Sequence, residues 1–143
     1  MLSKQIILNN GVKMPILGFG TYKLGNFDET KEAVKNAILS GYRHIDAALF
    51  YGNEEGVGQG IKEININRNE IFLSTKVWNN EQSYDNTIKV FEKSLEKLNV
   101  DYIDLYLVHW PTNLNSDTWR AFEELYNLGK VKAIGVCNFK MAY

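Results

Sequence analysis

Apolar residues occur along the chain as short continuous runs separated by longer amphipathic segments. The runs begin near Ile16, His44, Ile71, Asp104 and Val131, and they are uninterrupted, as in strands of a parallel sheet with both faces buried. The segments between them repeat apolar residues three and four positions apart, which indicates helices. Strand and helix in alternation predict βαβ units with parallel strands and an α/β fold.

The ends of these elements carry their own signals. An Asn-Gly pair at 10–11, between two short apolar segments, predicts a β-hairpin ahead of the first βα unit. Asp28 and Ser116 are expected to cap the first and last helices, and Gly41 and Gly129 are expected to end them.

The glycine-rich stretch GVGQG at 56–60 raises the question of a phosphate-binding loop. A doubly wound dinucleotide fold carries GxGxxG in the turn between its first strand and first helix. Gly18 and Gly20 begin such a pattern here, but Tyr22 and Lys23 break it, and GVGQG lies well after its strand. We therefore expect these glycines to let a helix lie close to the sheet.

The other parallel architecture, the (β/α)8 TIM barrel, gathers functional residues at the C-terminal ends of its strands. The sequence therefore predicts a TIM-barrel type of fold with an N-terminal β-hairpin, in a single domain over 1–143. A complete barrel takes about 250 residues, so about five of its eight βα units are expected here. Polar and aromatic residues stand at or just beyond the end of every predicted strand, together with Gly20: Thr21, Tyr22, Asp46, Tyr51, Lys76, Trp78, His109, Trp110, Cys137 and Asn138.

Composition narrows the functional classes. Sixteen Lys and Arg residues balance seventeen Asp and Glu residues, which argues against nucleic acid as the main partner. No run approaches the roughly 18 apolar residues of a membrane-spanning helix, so no membrane partner is expected. The single cysteine, Cys137, excludes an internal disulfide and fits a reducing, cytoplasmic location. No metal site is predicted.

Four of the strand-end residues form a proton-transfer set: Asp46, Tyr51, Lys76 and His109. A phenol, with a pKa of about 10, is a poor acid at neutral pH, but a nearby ammonium stabilises its phenolate. A buried lysine needs a counter-charge, and an imidazole can orient a carbonyl oxygen. The set suits carbonyl reduction by hydride from a nicotinamide, although each residue taken singly could be structural. Three aromatic residues are expected to wall the substrate pocket: Tyr22, Trp78 and Trp110.

The chain resembles the aldo-keto reductase family in five stretches that run in family order from Gly11 to Phe139: LGFGTYKL, GYRHIDAALFYGNEEGVGQGIKE, FLSTKVW, NVDYIDLYLVHWP and GKVKAIGVCNF. The resemblance implies reduction of aldehydes and ketones with NADPH, NADH being left open. It implies that Tyr51 is the general acid and that Lys76 and Asp46 tune it. His109 would then orient the carbonyl group.

The same resemblance implies a set of cofactor contacts. Gly20 and Thr21 would lie near the cofactor together with Asp46, and a Ser-Asn pair after strand five holds the nicotinamide carboxamide in the family. Here that pair is Cys137 and Asn138, so a weakly hydrogen-bonding thiol replaces the hydroxyl.

The short length leaves more than one function open. Barrel phosphate sites are often built after strands seven and eight, so the isolated chain is expected to be weak or inactive as a reductase of small-molecule carbonyl substrates. An open sheet would also favour self-association. The alternative is a non-enzymatic, barrel-derived module that binds a partner through its open sheet, and a cofactor-sensing subunit is a third interpretation.

Overall fold

The computed structural model describes residues 4–140. A two-stranded antiparallel hairpin precedes a five-stranded parallel sheet, whose strands follow one another in chain order. The predicted domain over 1–143 includes six residues, 1–3 and 141–143, that lie outside the described part. The elements are β1 (Gln5–Ile7), β2 (Lys13–Pro15), β3 (Phe19–Gly20), α1 (Phe27–Leu39), β4 (His44–Asp46), α2 (Glu54–Glu63), β5 (Phe72–Val77), α3 (Tyr84–Leu98), β6 (Leu105–Val108), α4 (Asn115–Asn127) and β7 (Ile134–Val136).

The predicted hairpin and all five predicted parallel strands are present. The hairpin turns at Gly11, whose φ of 86° lies in the left-handed region that glycine adopts without strain. Gly41 and Gly129 likewise have positive φ directly after α1 and α4, which confirms them as the residues that end these helices.

Both predicted helix N-caps were wrong. Helix α1 begins earlier, because Asn26 accepts a hydrogen bond from the Glu29 backbone while the Glu29 side chain accepts one from Asn26, a reciprocal capping box. Asp28 therefore lies within the first turn. Helix α4 has Leu114 at its N-cap without a side-chain bond, and Ser116 lies inside the helix.

The GVGQG stretch forms the middle of helix α2, and its glycines allow close packing. A Cβ atom at Gly56 or Gly60 would lie 2.8 Å from a backbone oxygen of α1. At Gly58 it would lie 2.3 Å from the backbone oxygen of Leu98, at the end of α3. The glycines thus bring α2 against both neighbouring helices, which agrees with a packing function and not with a phosphate-binding loop.

The two faces of the sheet differ in burial. The face toward the helices is closed by residues such as Ile45, Leu73 and Tyr106, each at most 1% exposed. On the other face, Leu105 and Leu107 are only partly covered, and β3 and β7 form the two edges of the sheet within residues 4–140. The expectation of strands buried on both faces therefore holds fully for β5 and only partly for its neighbours. Within the same residues, no helix has the length and apolarity needed to cross a membrane.

We expect Gly58→Ala to destabilise the chain. The new methyl group would overlap the Leu98 carbonyl oxygen, which belongs to the backbone and cannot rotate away. The free energy of unfolding should fall by about 2–3 kcal/mol, even though alanine favours a helix by roughly 1 kcal/mol over glycine. Urea unfolding followed by circular dichroism measures the change.

Gly20→Ala is the matched control, because no atom lies within 4 Å of the position its Cβ would take. Its unfolding free energy should stay within about 0.5 kcal/mol of the wild type. Equal midpoints for Gly58→Ala and Gly20→Ala would contradict the close packing of α2.

Candidate functional site

An ion pair between neighbouring strands lies at the centre of the site. The Lys76 ammonium on β5 is 2.8 and 2.7 Å from the two carboxylate oxygens of Asp46 on β4, and it also donates to the Ala47 carbonyl at 2.8 Å. Lys76 is only 5% exposed. Three acceptors thus hold a nearly buried cation in one position.

Tyr51 reaches this ion pair from a short 3₁₀ turn over Leu49–Tyr51 that follows β4. The turn ends at Gly52, whose φ of 69° reverses the chain into α2. The Lys76 ammonium lies 5.2 Å from the centre of the Tyr51 ring, within cation–π range. The ammonium therefore acts on the tyrosine as a fixed charge beside its ring.

His109 completes the group from the end of β6. Its ring centre is 5.8 Å from that of Tyr51, in an edge-to-face arrangement. Burial lowers the pKa of His109 below the ordinary value of 6.5, and the positive charge of Lys76 adds to this, while Asp46 opposes it. His109 is thus neutral at pH 7, and its buried Nδ1 has no hydrogen-bond partner within residues 4–140. The structure brings the four predicted proton-transfer residues together.

An aromatic wall surrounds this cluster, and one of its members was not predicted from the sequence. Phe50 stacks on Trp78 with ring centres 3.8 Å apart, and Trp78 lies edge-on to His109 at 5.1 Å. Tyr22 packs on Tyr51 at 5.0 Å. Phe50 is 48% exposed although apolar, an exposure that sequence patterns do not reveal.

Trp110, the third predicted wall residue, directly follows His109 in the chain. Its side chain is 45% exposed. Its backbone carbonyl accepts a hydrogen bond of 2.7 Å from the buried Gln82 side chain, which ties the end of β6 to the turn before α3.

The predicted cofactor contacts lie at the two sides of the sheet. Gly20 has open space where a side chain would be, whereas Thr21 is fully buried and donates both its backbone N–H and its hydroxyl to the Asp46 carbonyl. Beyond β7, Asn138 donates to the His109 carbonyl at 2.9 Å and lies 3.2 Å from the Cys137 sulfur. Within residues 4–140, no group of three or more potential ligand side chains is placed to hold a metal ion.

Two residues that support the site were not singled out from the sequence. Glu54, 2% exposed, accepts hydrogen bonds from Thr75 at 2.7 Å and Ser94 at 3.1 Å, and so joins the start of α2 to β5 and α3. Asn53 donates to the Thr21 carbonyl at 2.8 Å. Asn53 and Glu54 come directly after Tyr51 and Gly52. The signal in the sequence for a buried Glu54 was its place at the start of α2, a helix whose other residues include apolar ones.

A model of the Aldo/keto reductase family matches residues 16–143. The chain is 54% identical over 141 residues to a protein named glyoxal reductase from Bacillus subtilis (strain 168), covering 98% of this chain and 51% of that relative. It is 52% identical over 136 residues to a 9,11-endoperoxide prostaglandin H2 reductase from Trypanosoma cruzi (strain CL Brener), covering 94% and 48%. The chain spans about half the length of the curated relatives it matches.

Solved structures give the same result. An aldo/keto reductase from Brucella melitensis matches with a TM-score of 0.93 at 50% identity, covering 96% of this chain and 55% of that structure. An aldo-keto reductase from Bombyx mori, solved in complex with NADP, matches with a TM-score of 0.90 at 37% identity, covering 95% and 50%. The matches confirm the predicted barrel type, of which the five-stranded sheet is an incomplete part.

We expect the stability of the chain to depend on the protonation of Glu54. Burial raises the pKa of this carboxyl above the ordinary 4.5, against the hydrogen bonds from Thr75 and Ser94. The folded state therefore holds the proton more tightly than the unfolded chain, and this stabilisation, complete below pH 4.5, is lost as the pH rises through the folded pKa. Glu54→Gln, which stays neutral, should become more stable relative to the wild type as the pH rises from 4.5 to 8.

Urea unfolding of both proteins across this pH range measures the difference. The neighbouring exposed residue provides the control, because Glu55→Gln should show little pH-dependent change against the wild type. If the difference in stability between Glu54→Gln and the wild type did not change with pH, burial would not raise the pKa of Glu54 in the folded state.

Proposed function

The chain belongs to the aldo/keto reductase family, and on that premise we propose that its site takes part in reducing a small-molecule aldehyde or ketone to an alcohol with NADPH. The observation that carries the proposal is the Lys76 ammonium held between Asp46 and the Tyr51 ring. The names of the relatives, several of them reductases, support the same reaction class.

Tyr51 is the proposed general acid. As a carbonyl is reduced, negative charge grows on its oxygen, and a positioned acid must deliver a proton there. The neighbouring ammonium favours loss of the phenolic proton because it stabilises the phenolate that remains. Asp46 keeps Lys76 charged in a nearly buried position, so the three residues work as one unit.

His109 is proposed to orient the carbonyl oxygen. A neutral imidazole donates from one nitrogen only. The buried Nδ1 has no partner within residues 4–140, and an unpaired acceptor is tolerated there more readily than an unpaired N–H. We therefore assign the proton to Nε2, which is left to donate toward the substrate.

The residues present fit the nicotinamide end of a cofactor. Gly20 leaves open space beside the sheet edge, and the Asn138 amide uses its N–H on the His109 carbonyl, which leaves its oxygen as an acceptor for a carboxamide. With the Cys137 thiol and the Asp46–Thr21 backbone pair, these residues are proposed to hold that end. Bound NADPH would supply the hydride for the carbonyl carbon. The NADP complex of the Bombyx mori relative supports NADPH over NADH.

The aromatic wall sets the expected substrate class. Tyr22, Phe50, Trp78 and Trp110 are proposed to give the site aromatic sides, next to the polar groups of Tyr51, Lys76 and His109. Such a pocket suits a small carbonyl compound whose oxygen points to Tyr51 and His109. Glyoxal, named in the Bacillus subtilis relative, is the first compound to test. A reducing compartment such as the cytoplasm suits the free thiol of Cys137.

A binding function without catalysis is the second candidate. Leu105 and Leu107 on β6 are only partly covered, and the neighbouring strand β7 is an edge of the sheet within residues 4–140 and places Gly135, which has no side chain, beside Leu107. An apolar sheet face beside an edge favours association with another chain, including a second copy of this one. If residues 1–143 are part of one barrel domain, the remainder of that barrel would cover the same face.

We expect Tyr51→Phe to abolish most of the reductase activity. The variant keeps the aromatic ring that packs on Tyr22 and His109 but removes the proton donor. Because general acid catalysis contributes roughly 10²- to 10⁴-fold, kcat should fall by at least about 100-fold. The assay is NADPH oxidation with glyoxal, using a chimera that joins residues 1–140 to the remaining half of the Bacillus subtilis relative.

Tyr42→Phe is the control, since it removes a phenol that packs on Phe19 ahead of β4, away from the catalytic group. It should keep turnover within about twofold of the parent chimera. Wild-type rates in Tyr51→Phe would disprove the assignment of the general acid.

The isolated chain should bind NADPH weakly. Barrel phosphate sites are often built by loops after strands seven and eight, and five parallel strands are present here. Quenching of the fluorescence of Trp78, Trp110 and Trp119 should not saturate below about 1 mM NADPH, whereas the chimera should saturate at about 1–10 μM. Micromolar binding by a monomeric sample of the isolated chain would contradict this expectation.

A further inference from the structure

Two polar side chains outside the proton-transfer group lie on the same face of the sheet. His44 precedes Asp46 by two residues on β4, and Ser74 precedes Lys76 by two residues on β5. Side chains two residues apart on a strand point the same way. Strands β4 and β5 are parallel, with Asp46 opposite Ser74 in the register. The fold therefore places all four polar groups on two adjacent strands.

These groups form a continuous hydrogen-bonded chain. The Ser74 hydroxyl, 1% exposed as a residue, is 2.6 Å from Asp46 Oδ1. His44 Nε2 is 3.1 Å from the same hydroxyl oxygen. Asp46 Oδ1 also accepts from Lys76 at 2.8 Å. The hydrogen bonds thus lead from His44 through Ser74 to the carboxylate that holds Lys76.

The number of available protons fixes the direction in which these hydrogen bonds run. A serine hydroxyl has one proton to donate, and an ionised carboxylate can only accept. Bonds to a charged group are the stronger ones, so the Ser74 proton belongs on Asp46. Ser74 Oγ must then accept from His44, which requires the His44 proton to lie on Nε2.

A second arrangement competes with this one. Burial lowers the pKa of His44 below 6.5, with Lys76 acting in the same sense, while Asp46, Asp104 and the Pro15 carbonyl act in the opposite sense. The ring is therefore neutral at pH 8 and carries one proton. If that proton lay on Nδ1 and pointed to the Pro15 carbonyl, Ser74 would donate to His44 and leave Asp46 without its bond.

The surroundings of His44 hold the ring in place. Phe72 packs on it edge-to-face with ring centres 4.9 Å apart. Gly18 lies so close that a Cβ atom there would be 2.8 Å from His44 Nδ1. A ring held from two sides cannot turn away, so His44 Nε2 stays directed at Ser74.

Resting on the proposed function, we propose that His44 and Ser74 are positioning residues for Asp46. The donation from His44 to Ser74 and from Ser74 to Asp46 fixes the carboxylate against Lys76, and thereby fixes the charge beside Tyr51. Neither residue is assigned contact with substrate or cofactor.

Nitrogen NMR of the histidine rings at pH 8 tests the proposal without any turnover. In the wild-type chain, His44 should be the Nε2–H tautomer. The Asp46 carboxylate does not itself bond to His44. Its removal in Asp46→Ala frees the Ser74 proton, which can then point back at the His44 ring. The Nε2–H tautomer should therefore lose at least about half its population in Asp46→Ala.

Ser94→Ala is the matched control for these spectra. It also removes a buried serine hydroxyl bonded to a carboxylate, in this case Glu54, but on helix α3. It should leave the His44 signals unchanged. An Nδ1–H tautomer in the wild type, or a tautomer unaffected by Asp46→Ala, would overturn the proposal.

Turnover with glyoxal and NADPH, measured in the chimera that carries residues 1–140, gives a second reading. Ser74→Ala should lower kcat about 5- to 20-fold with KM changed less than about twofold, because one charge-assisted bond to Asp46 is lost. The alkaline limb of its pH profile should move to higher pH, since an under-compensated Asp46 weakens the positive field of Lys76.

The conservative variant separates positioning from packing. Ser74→Thr keeps the hydroxyl and should restore both kcat and the pH profile, while Ser94→Ala should change neither. A normal kcat and pH profile in Ser74→Ala would count against the proposal. If every chimera including the parent is inactive, the proposed function fails, and the tautomer measurement on the chain itself still decides between the two proton arrangements.

Discussion

The ion pair between Lys76 and Asp46 is the interaction on which the site depends. An ammonium that is almost out of contact with water is costly unless it is paired and its donors are satisfied. Three acceptors meet that need, two from Asp46 and one from the Ala47 carbonyl. Such a pair contributes little net stability, but it allows only one placement of the charge. What Tyr51 and His109 can do chemically depends on where they lie relative to that fixed charge.

The packing around α2, on the other side of the sheet, also helps to fix the positions of the site residues. Glycines at 56, 58 and 60 let the helix approach α1 and α3 to backbone contact. At its start, Glu54 is tied to Thr75, the neighbour of Lys76 in the sequence. The helix that follows Tyr51 is thereby fixed to the strand that carries the ammonium. A loop residue such as Tyr51 can be held accurately only when both of its flanks are held.

The sequence alone was enough for the βαβ order, the hairpin and the placement of Asp46, Tyr51, Lys76 and His109 beside one another, because these depend on local periodicity and on strand ends. The helix caps could not be told apart in the same way, since Asn26, Asp28 and Ser116 are all good capping residues and tertiary packing chooses among them. Phe50 was missed because its stacking on Trp78 depends on the path of a turn. His44 was not among the predicted site residues, although its two-residue spacing from Asp46 already placed it on the same face.

The distribution of the site over the sheet separates its two tasks. Asp46, Lys76 and His109 belong to β4, β5 and the end of β6, the three inner strands, and each is held by contacts within residues 4–140. Gly20 and Asn138, on the proposed cofactor side, lie at the ends of the edge strands β3 and β7. Under the proposed function, proton delivery would depend on strands that have a neighbour on each side, and cofactor binding would depend on the two edge strands. The acid could then be fully formed while the cofactor is weakly held. On that proposal, we expect affinity for NADPH, more than the geometry around Lys76, to limit catalysis.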